Sequence, residues 1–230
     1  AIILILRKVN PVYSLFGGAI VGGLLGGASL AQTTQIVIEG TNSVMGAVVR
    51  VLAAGVLAGV LIESGAAEKI AETIVEKLGE KKAILAIALA TMVITSVGVF
   101  VTVAIIIVAP IALSVAKKGG LTRAAILLAM VGGGKAGNII SPNPNTIAVA
   151  KGFNVDLAQV MINGFIPALL GIVVTYFVAS MLNKKGDVVR YTEDDAKVKA
   201  SATGDDNKPT FRRAIVAPVV AIVLLAISPI

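Results

Sequence analysis

Between Ala83 and Ala116 the chain contains no Asp, Glu, Lys or Arg. A helix that crosses a bilayer once takes about 20 apolar residues. One straight span would therefore overshoot, and two full spans would be cramped. Lys81 and Lys82 stand before the run, and Lys117 and Lys118 stand after it. Lys and Arg gather on the cytoplasmic side of membrane proteins, so both ends belong on the same side. The segment must enter the bilayer and return, which predicts a re-entrant helical hairpin over 83–116. Its tip falls at Thr95, Ser96, Val97 and Gly98. Hydroxyls there have two available roles: facing a bound ligand, or satisfying backbone groups freed by the turn.

The stretch from Val131 to Ala150, VGGGKAGNIISPNPNTIAVA, is the second constraint. It leaves an apolar run at Gly132, Gly133 and Gly134, carries Lys135, and passes through Pro142 and Pro144 before turning apolar again. Proline donates no backbone hydrogen bond and disfavours helix in the residue before it. The expectation is a broken span over about 121–150, unwound from Gly134 to Asn145. Unwound backbone at membrane depth is tolerated only where protein buries it or it lines a wet cavity. Secondary transporters place substrate and coupling ions at such breaks.

Composition supports a polytopic, all-helical membrane protein. The chain is 57% hydrophobic and 14% charged, with a mean hydropathy of +0.94, whereas a soluble domain is roughly a quarter charged. A net charge of +7 would suggest nucleic acid in a soluble protein, but here the basic residues sit mainly at the ends of apolar runs. The lipid bilayer is the expected partner, and nucleic acid is not. With no Cys and no His, the chain offers no thiolate nucleophile, His-dependent triad or usual zinc ligand set. No acid–base or nucleophile pair marks an enzyme, and neither a cofactor nor a metal site is expected.

Around these two stretches the order is regular. Ala1–Leu6 reads as the tail of a span and Pro11–Ala31 as a glycine-rich one whose glycines serve close packing. Ala31–Thr41, polar and free of Lys and Arg, is placed outside. Ser43–Ile62 returns inward, carrying Arg50, which either snorkels to the interface or attracts an anion. Glu63, at the end of that span, is either solvated or a proton relay. Glu63–Lys82 contains an amphipathic helix with Ile70, Ile74 and Leu78 on one side, expected on the cytoplasmic surface. A short outer amphipathic piece spans 154–163, and Gly164–Leu182 is a further span. Nearly half of the charged residues fall between Lys184 and Arg213, in a segment without hydrophobic periodicity that suits a cytoplasmic linker. The organisation is thus a first transmembrane repeat over 1–183, a linker over 184–213 and the start of a second repeat over 214–230. Both ends read as cut within a helix, so the chain is expected to be the first half of a longer transporter.

Within the break, Lys135 is the one ionisable group. Its ammonium suits a carboxylate, or, if desolvated, proton exchange; its plain structural role would be to satisfy exposed carbonyls. Asn138, Ser141, Asn143, Asn145 and Thr146 supply amides and hydroxyls for a hydroxylated acid, or for sodium with help from carbonyls. Asn145–Thr146 equally suits the start of a second half-helix. A phosphate loop is ruled out, since Ala136 follows Lys135 where Ser or Thr is required and the flank is a membrane span.

From about Gly55 to Lys185 the sequence resembles the gluconate permeases of the gluconate:proton symporter type, within the ion-transporter superfamily. The likeness is carried by AGVLIESGAAEKIAETIVEKLGEKKA, the VAP at 108–110, the Pro-x-Pro at 142–144 and TIAVAKGFNVDL at 146–157. It implies an inverted-repeat fold of which this chain holds the first repeat only, a homodimeric scaffold and a bacterial inner-membrane location. It also implies import of gluconate or a related small organic acid, with H+ as the coupling ion. Thr95, Ser96 and Gly98 of the hairpin and Ser141, Asn143, Asn145 and Thr146 of the break would line the site. The chain departs from the family by having Asn143, Asn145 and Thr146 in a core where relatives carry His and further Pro, and by Lys135. In those departures its tip is similar to that of sodium-coupled dicarboxylate carriers.

Overall fold

The computed structural model describes residues 1–189, 209–216 and 219–220, apart from the side chain of Arg50. The expected linker therefore lies largely outside the described residues, as does most of the expected start of a second repeat. The elements are α1 (Ile2–Leu6), α2 (Pro11–Leu25), α3 (Leu30–Glu63), α4 (Ala66–Leu78), α5 (Ala83–Ser96), α6 (Val101–Gly119), α7 (Arg123–Ile139), α8 (Pro144–Gly152), α9 (Leu157–Asn163) and α10 (Phe165–Leu182). No strand occurs among the described residues beyond an isolated bridge between Thr122 and Val188. Among the described residues, four helical stretches are long and apolar enough to cross a membrane: Leu30–Glu63, Val101–Gly119, Arg123–Gly152 and Leu157–Leu182. The chain is an all-helical protein with the make-up of a membrane protein.

Contacts divide it into Ala1–Val49 and Arg50–Ile230. In the first unit, Asn10 caps α2 by accepting from the Val12 N–H at 2.9 Å, with Pro11 at the first helical position, where its missing N–H costs nothing. A Cβ on Gly23 would lie 2.5 Å from the Thr33 methyl, so this glycine does serve close packing. Residues 31–41, polar and free of Lys and Arg, are helical and belong to α3. Thr34 and Thr41 turn their hydroxyls back to the carbonyls of Leu30 and Val37 at 2.8 Å. Polar side chains that satisfy themselves on their own helix do not end it.

In the second unit the core is built on α5 and α7, flanked by α4, α6 and α10. Small residues dominate it. Ala86, Ala88 and Ala90 of α5, Ala125 and Ala129 of α7, and Ala168 and Ala179 of α10 are all fully buried. Along α6 the buried positions are Ala104, Val108, Ala112 and Ala116, one every four residues, which places them on a single face. Such stripes let helix axes approach closely where lipid offers no hydrophobic drive to associate. The amphipathic α4 lays Ala67, Ala71 and Val75 into this core, so its apolar face meets protein rather than a lipid surface. At the far end, the Thr122 N–H donates to Asn183 Oδ1 at 2.7 Å and the Val189 N–H to the Leu121 carbonyl at 3.0 Å. These bonds tie the start of α7 to the end of α10.

α5 and α6 form the expected helical hairpin, joined through Val97–Phe100 with Gly98 at φ 104°. The expected break is also present but much shorter. α7 stays helical through Gly132, Gly133, Gly134 and Lys135 to Ile139, and α8 begins at Pro144. Unwinding is confined to 140–143. Three neighbours pack too closely against these glycines to leave room for a side chain. A Cβ on Gly132 would strike Thr175 of α10, one on Gly133 the Ala88 carbonyl of α5, and one on Gly134 would lie 2.7 Å from Val101 of α6. Consecutive helical residues are about 100° apart around the axis, so each of the three faces a different partner.

Candidate functional site

Pro142 and Pro144 enforce the break. Asn143, held by the following proline, takes an extended conformation at φ −103°, ψ 170° and becomes the N-cap of α8. Its Oδ1 accepts from the Asn145 N–H at 2.8 Å, and its own N–H donates to Thr146 Oγ1 at 3.2 Å. The Thr146 hydroxyl donates to the Ser141 carbonyl at 2.5 Å. Asn143 Nδ2 donates to the Asn138 carbonyl and to Ser141 Oγ, and Ser141 Oγ donates in turn to the same Asn138 carbonyl at 3.1 Å. Ser141, Asn143 and Thr146 are all buried. They replace, with side chains, the ladder bonds that the break removes.

The hairpin tip meets this break. A Cβ on Gly98 would come 3.9 Å from Pro142 Cγ. Beside that contact lies an open cavity of about 220 Å³, lined by Phe100, Val101 and Thr102 of the hairpin, Lys135 and Asn138 of α7, and Asn143, Pro144 and Asn145 at the start of α8. Lys135 is its one charged lining residue, and no partner reaches the ammonium among the described residues. It lies some 18 Å along α7 from Arg123, near the middle of a roughly 30 Å hydrocarbon slab if α7 stands upright. Two helix N-termini also border the cavity, those of α6 and α8. Phe100, at the N-cap of α6, contributes no side-chain cap. The uncapped N–H groups of the first turn of α6 carry partial positive charge, whereas at α8 Pro144 has no N–H and Asn143 Oδ1 takes that of Asn145, so the ammonium and the α6 end favour an anion.

The predicted residues therefore divide into two groups. Lys135, Asn138 and Asn145 line the cavity, and no hydrogen bond to their side chains is found among the described residues. Asn143 lines it as well, but with its amide engaged in the turn. Ser141 and Thr146 lie behind it. At the hairpin, the Thr95 hydroxyl is buried and bonded to the carbonyls of Thr91 and Met92 at 2.9 and 3.1 Å. Ser96 Oγ donates to the Val93 carbonyl at 2.8 Å. The hairpin side of the cavity is instead Phe100, Val101 and Thr102, which sequence reasoning missed. Its signal was where the helix resumes after Gly98, and not the hydroxyl content of the preceding turn. No group of three or more His, Cys, Asp or Glu side chains suited to a metal occurs among the described residues.

All of residues 1–230 match the family described as GntP family permease. The chain belongs to that family. It is 57% identical over 230 residues to an uncharacterized transporter of Haemophilus influenzae (strain ATCC 51907 / DSM 11121 / KW20 / Rd), covering 100% of this chain and 54% of the relative. It is 31% identical over 192 residues to the inner membrane permease YgbN of Escherichia coli (strain K12), covering 80% and 41%. It is also 24% identical over 235 residues to the Gnt-II system L-idonate transporter of the same organism, covering 100% and 53%. The chain thus spans about half the length of the relatives it matches. No solved structure matches it. Family and relatives are named for permeases and transporters, not for enzymes.

Proposed function

We propose that this chain forms the first of two inverted repeats in a dimeric bacterial inner-membrane symporter that imports gluconate or a related small organic acid. The observation that carries this reading is the Lys135 ammonium, without a partner among the described residues, set in the cavity between the hairpin and the broken helix beside the uncapped start of α6. An ammonium at mid-membrane depth without an anion is costly, and a substrate carboxylate supplies that anion. The amides of Asn138 and Asn145 add donors and acceptors suited to hydroxyls. One relative is named for an L-idonate transporter, which favours sugar acids over di- and tricarboxylates. Coupling to H+ follows the family resemblance, with Na+ as the other cation. The hairpin and broken span move together between inward- and outward-open states.

The test is counterflow of labelled gluconate into proteoliposomes of the full-length protein, with idonate, succinate and citrate as competitors. Sugar acids are expected to compete. Lys135→Gln should raise the half-saturating concentration about ten- to a hundred-fold, the size expected when a charge-assisted hydrogen bond is lost. Competition by citrate or succinate alone would overturn the sugar-acid assignment. Unchanged affinity in Lys135→Gln would remove Lys135 from the site.

A further inference from the structure

The hydroxyls of the hairpin are not equally available. Thr91 Oγ1 donates to the Ile87 carbonyl at 2.8 Å, while those of Thr95 and Ser96 return to carbonyls three or four residues back. This is the usual state of Ser and Thr inside a helix, where an upstream carbonyl always lies within reach. Thr102 differs because of its position. It is the second residue of α6, so the residue four places back is Gly98, in the turn at φ 104°, and no helical carbonyl lies behind it. Thr102 is exposed, lines the cavity together with Lys135, Asn138 and Asn145, and its hydroxyl meets no partner among the described residues.

We infer that Thr102 is the hairpin's specificity-determining residue, the group that distinguishes hydroxylated acids from their hydroxyl-free counterparts. This rests on the anion site proposed above and deepens it. The fixed ammonium offers donors only, and it attracts any carboxylate regardless of what the rest of the molecule carries. A free hydroxyl both donates and accepts, so it is matched by a substrate hydroxyl and left unsatisfied by a methylene. Leaving a site's polar group unpaired on binding the wrong ligand is what gives hydrogen-bonding sites their discrimination.

The experiment uses the full-length protein in proteoliposomes, with labelled gluconate counterflow competed by gluconate and glycerate against hexanoate and propionate. Thr102→Val keeps the shape and removes the hydroxyl. Its expected effect is a five- to thirty-fold weaker competition by the hydroxy acids with little change for the plain acids, so that the preference collapses. Thr102→Ser should restore that preference, which a merely structural role would not require. Thr95→Val serves as a control, expected to change thermal stability and not the ratio. Equal weakening for both acid classes in Thr102→Val would make Thr102 a general anion contact and overturn the inference, as would an unchanged ratio. Failure of every sugar acid to compete in the unaltered protein would instead sink the underlying anion-site reading, and Thr102's role with it.

Discussion

At the scale of single residues, the break is held by a division of labour among neighbouring side chains. Asn143 does more than cap α8. Its Oδ1 takes the Asn145 N–H while its Nδ2 reaches the carbonyl end of α7. Asn143→Ala removes both connections at once and leaves the Asn145 N–H without its cap, while the Asn138 carbonyl keeps the Ser141 hydroxyl. The loss of a cap costs about 0.5–2 kcal/mol. A lower thermal midpoint in detergent, accompanied by weaker substrate binding, is the expected outcome. Stability equal to that of the unaltered protein would show that the network does not hold the turn. Lys135, by contrast, is joined to nothing in the fold among the described residues, so its replacement is expected to change binding far more than stability. That contrast follows directly from which polar groups are engaged and which are open.

At the scale of elements, the packing of α7 explains why it carries glycine where it crosses its neighbours. Gly133 and Gly137 turn the same face to α5, against the Ala88 and Met92 carbonyls. A side chain there would meet backbone, which cannot rotate away. Gly133→Val should therefore push α7 off the hairpin, at more than the roughly 1–3 kcal/mol typical of overpacking. The readouts are folded yield and monodispersity after extraction. Gly152, with open space around its Cβ position, makes a control in Gly152→Ala. Equal yields for the two variants would mean that the close crossing is not needed. Pro110 lies inside α6 and frees a carbonyl there; neighbouring helices and local adjustments accommodate such prolines in membrane helices.

For the whole molecule, the central question is whether the cavity serves alternating access or a passive pore. An imposed inward proton gradient should drive labelled gluconate above its external concentration in proteoliposomes, and a protonophore should abolish the accumulation. Uptake that only equilibrates, whatever the proton or sodium gradient, would favour a channel-like protein over the proposed symporter. The hairpin and α7 share one alanine- and glycine-lined core, so the two tips that border the cavity belong to a single packed body. An anion held between them would move with that body.

Much of this was legible in the residues themselves. Charge-free length between basic pairs required a hairpin over 83–116, because a bilayer fixes how far a helix can run. Pro142 and Pro144 required a break, because neither can donate to a ladder. The register of the free polar groups could not be read the same way. Gly132, Gly133 and Gly134 look like breakers until α5, α6 and α10 are packed around them. The Thr95 and Ser96 hydroxyls had two roles open in the sequence, ligand or backbone, and their own helix engages them; Thr102 becomes notable only once α6 is seen to start at Val101. Local chemistry sets where a chain must bend. Which side chains remain open after bending depends on neighbours brought in from far along the sequence, and only the tertiary structure supplies those.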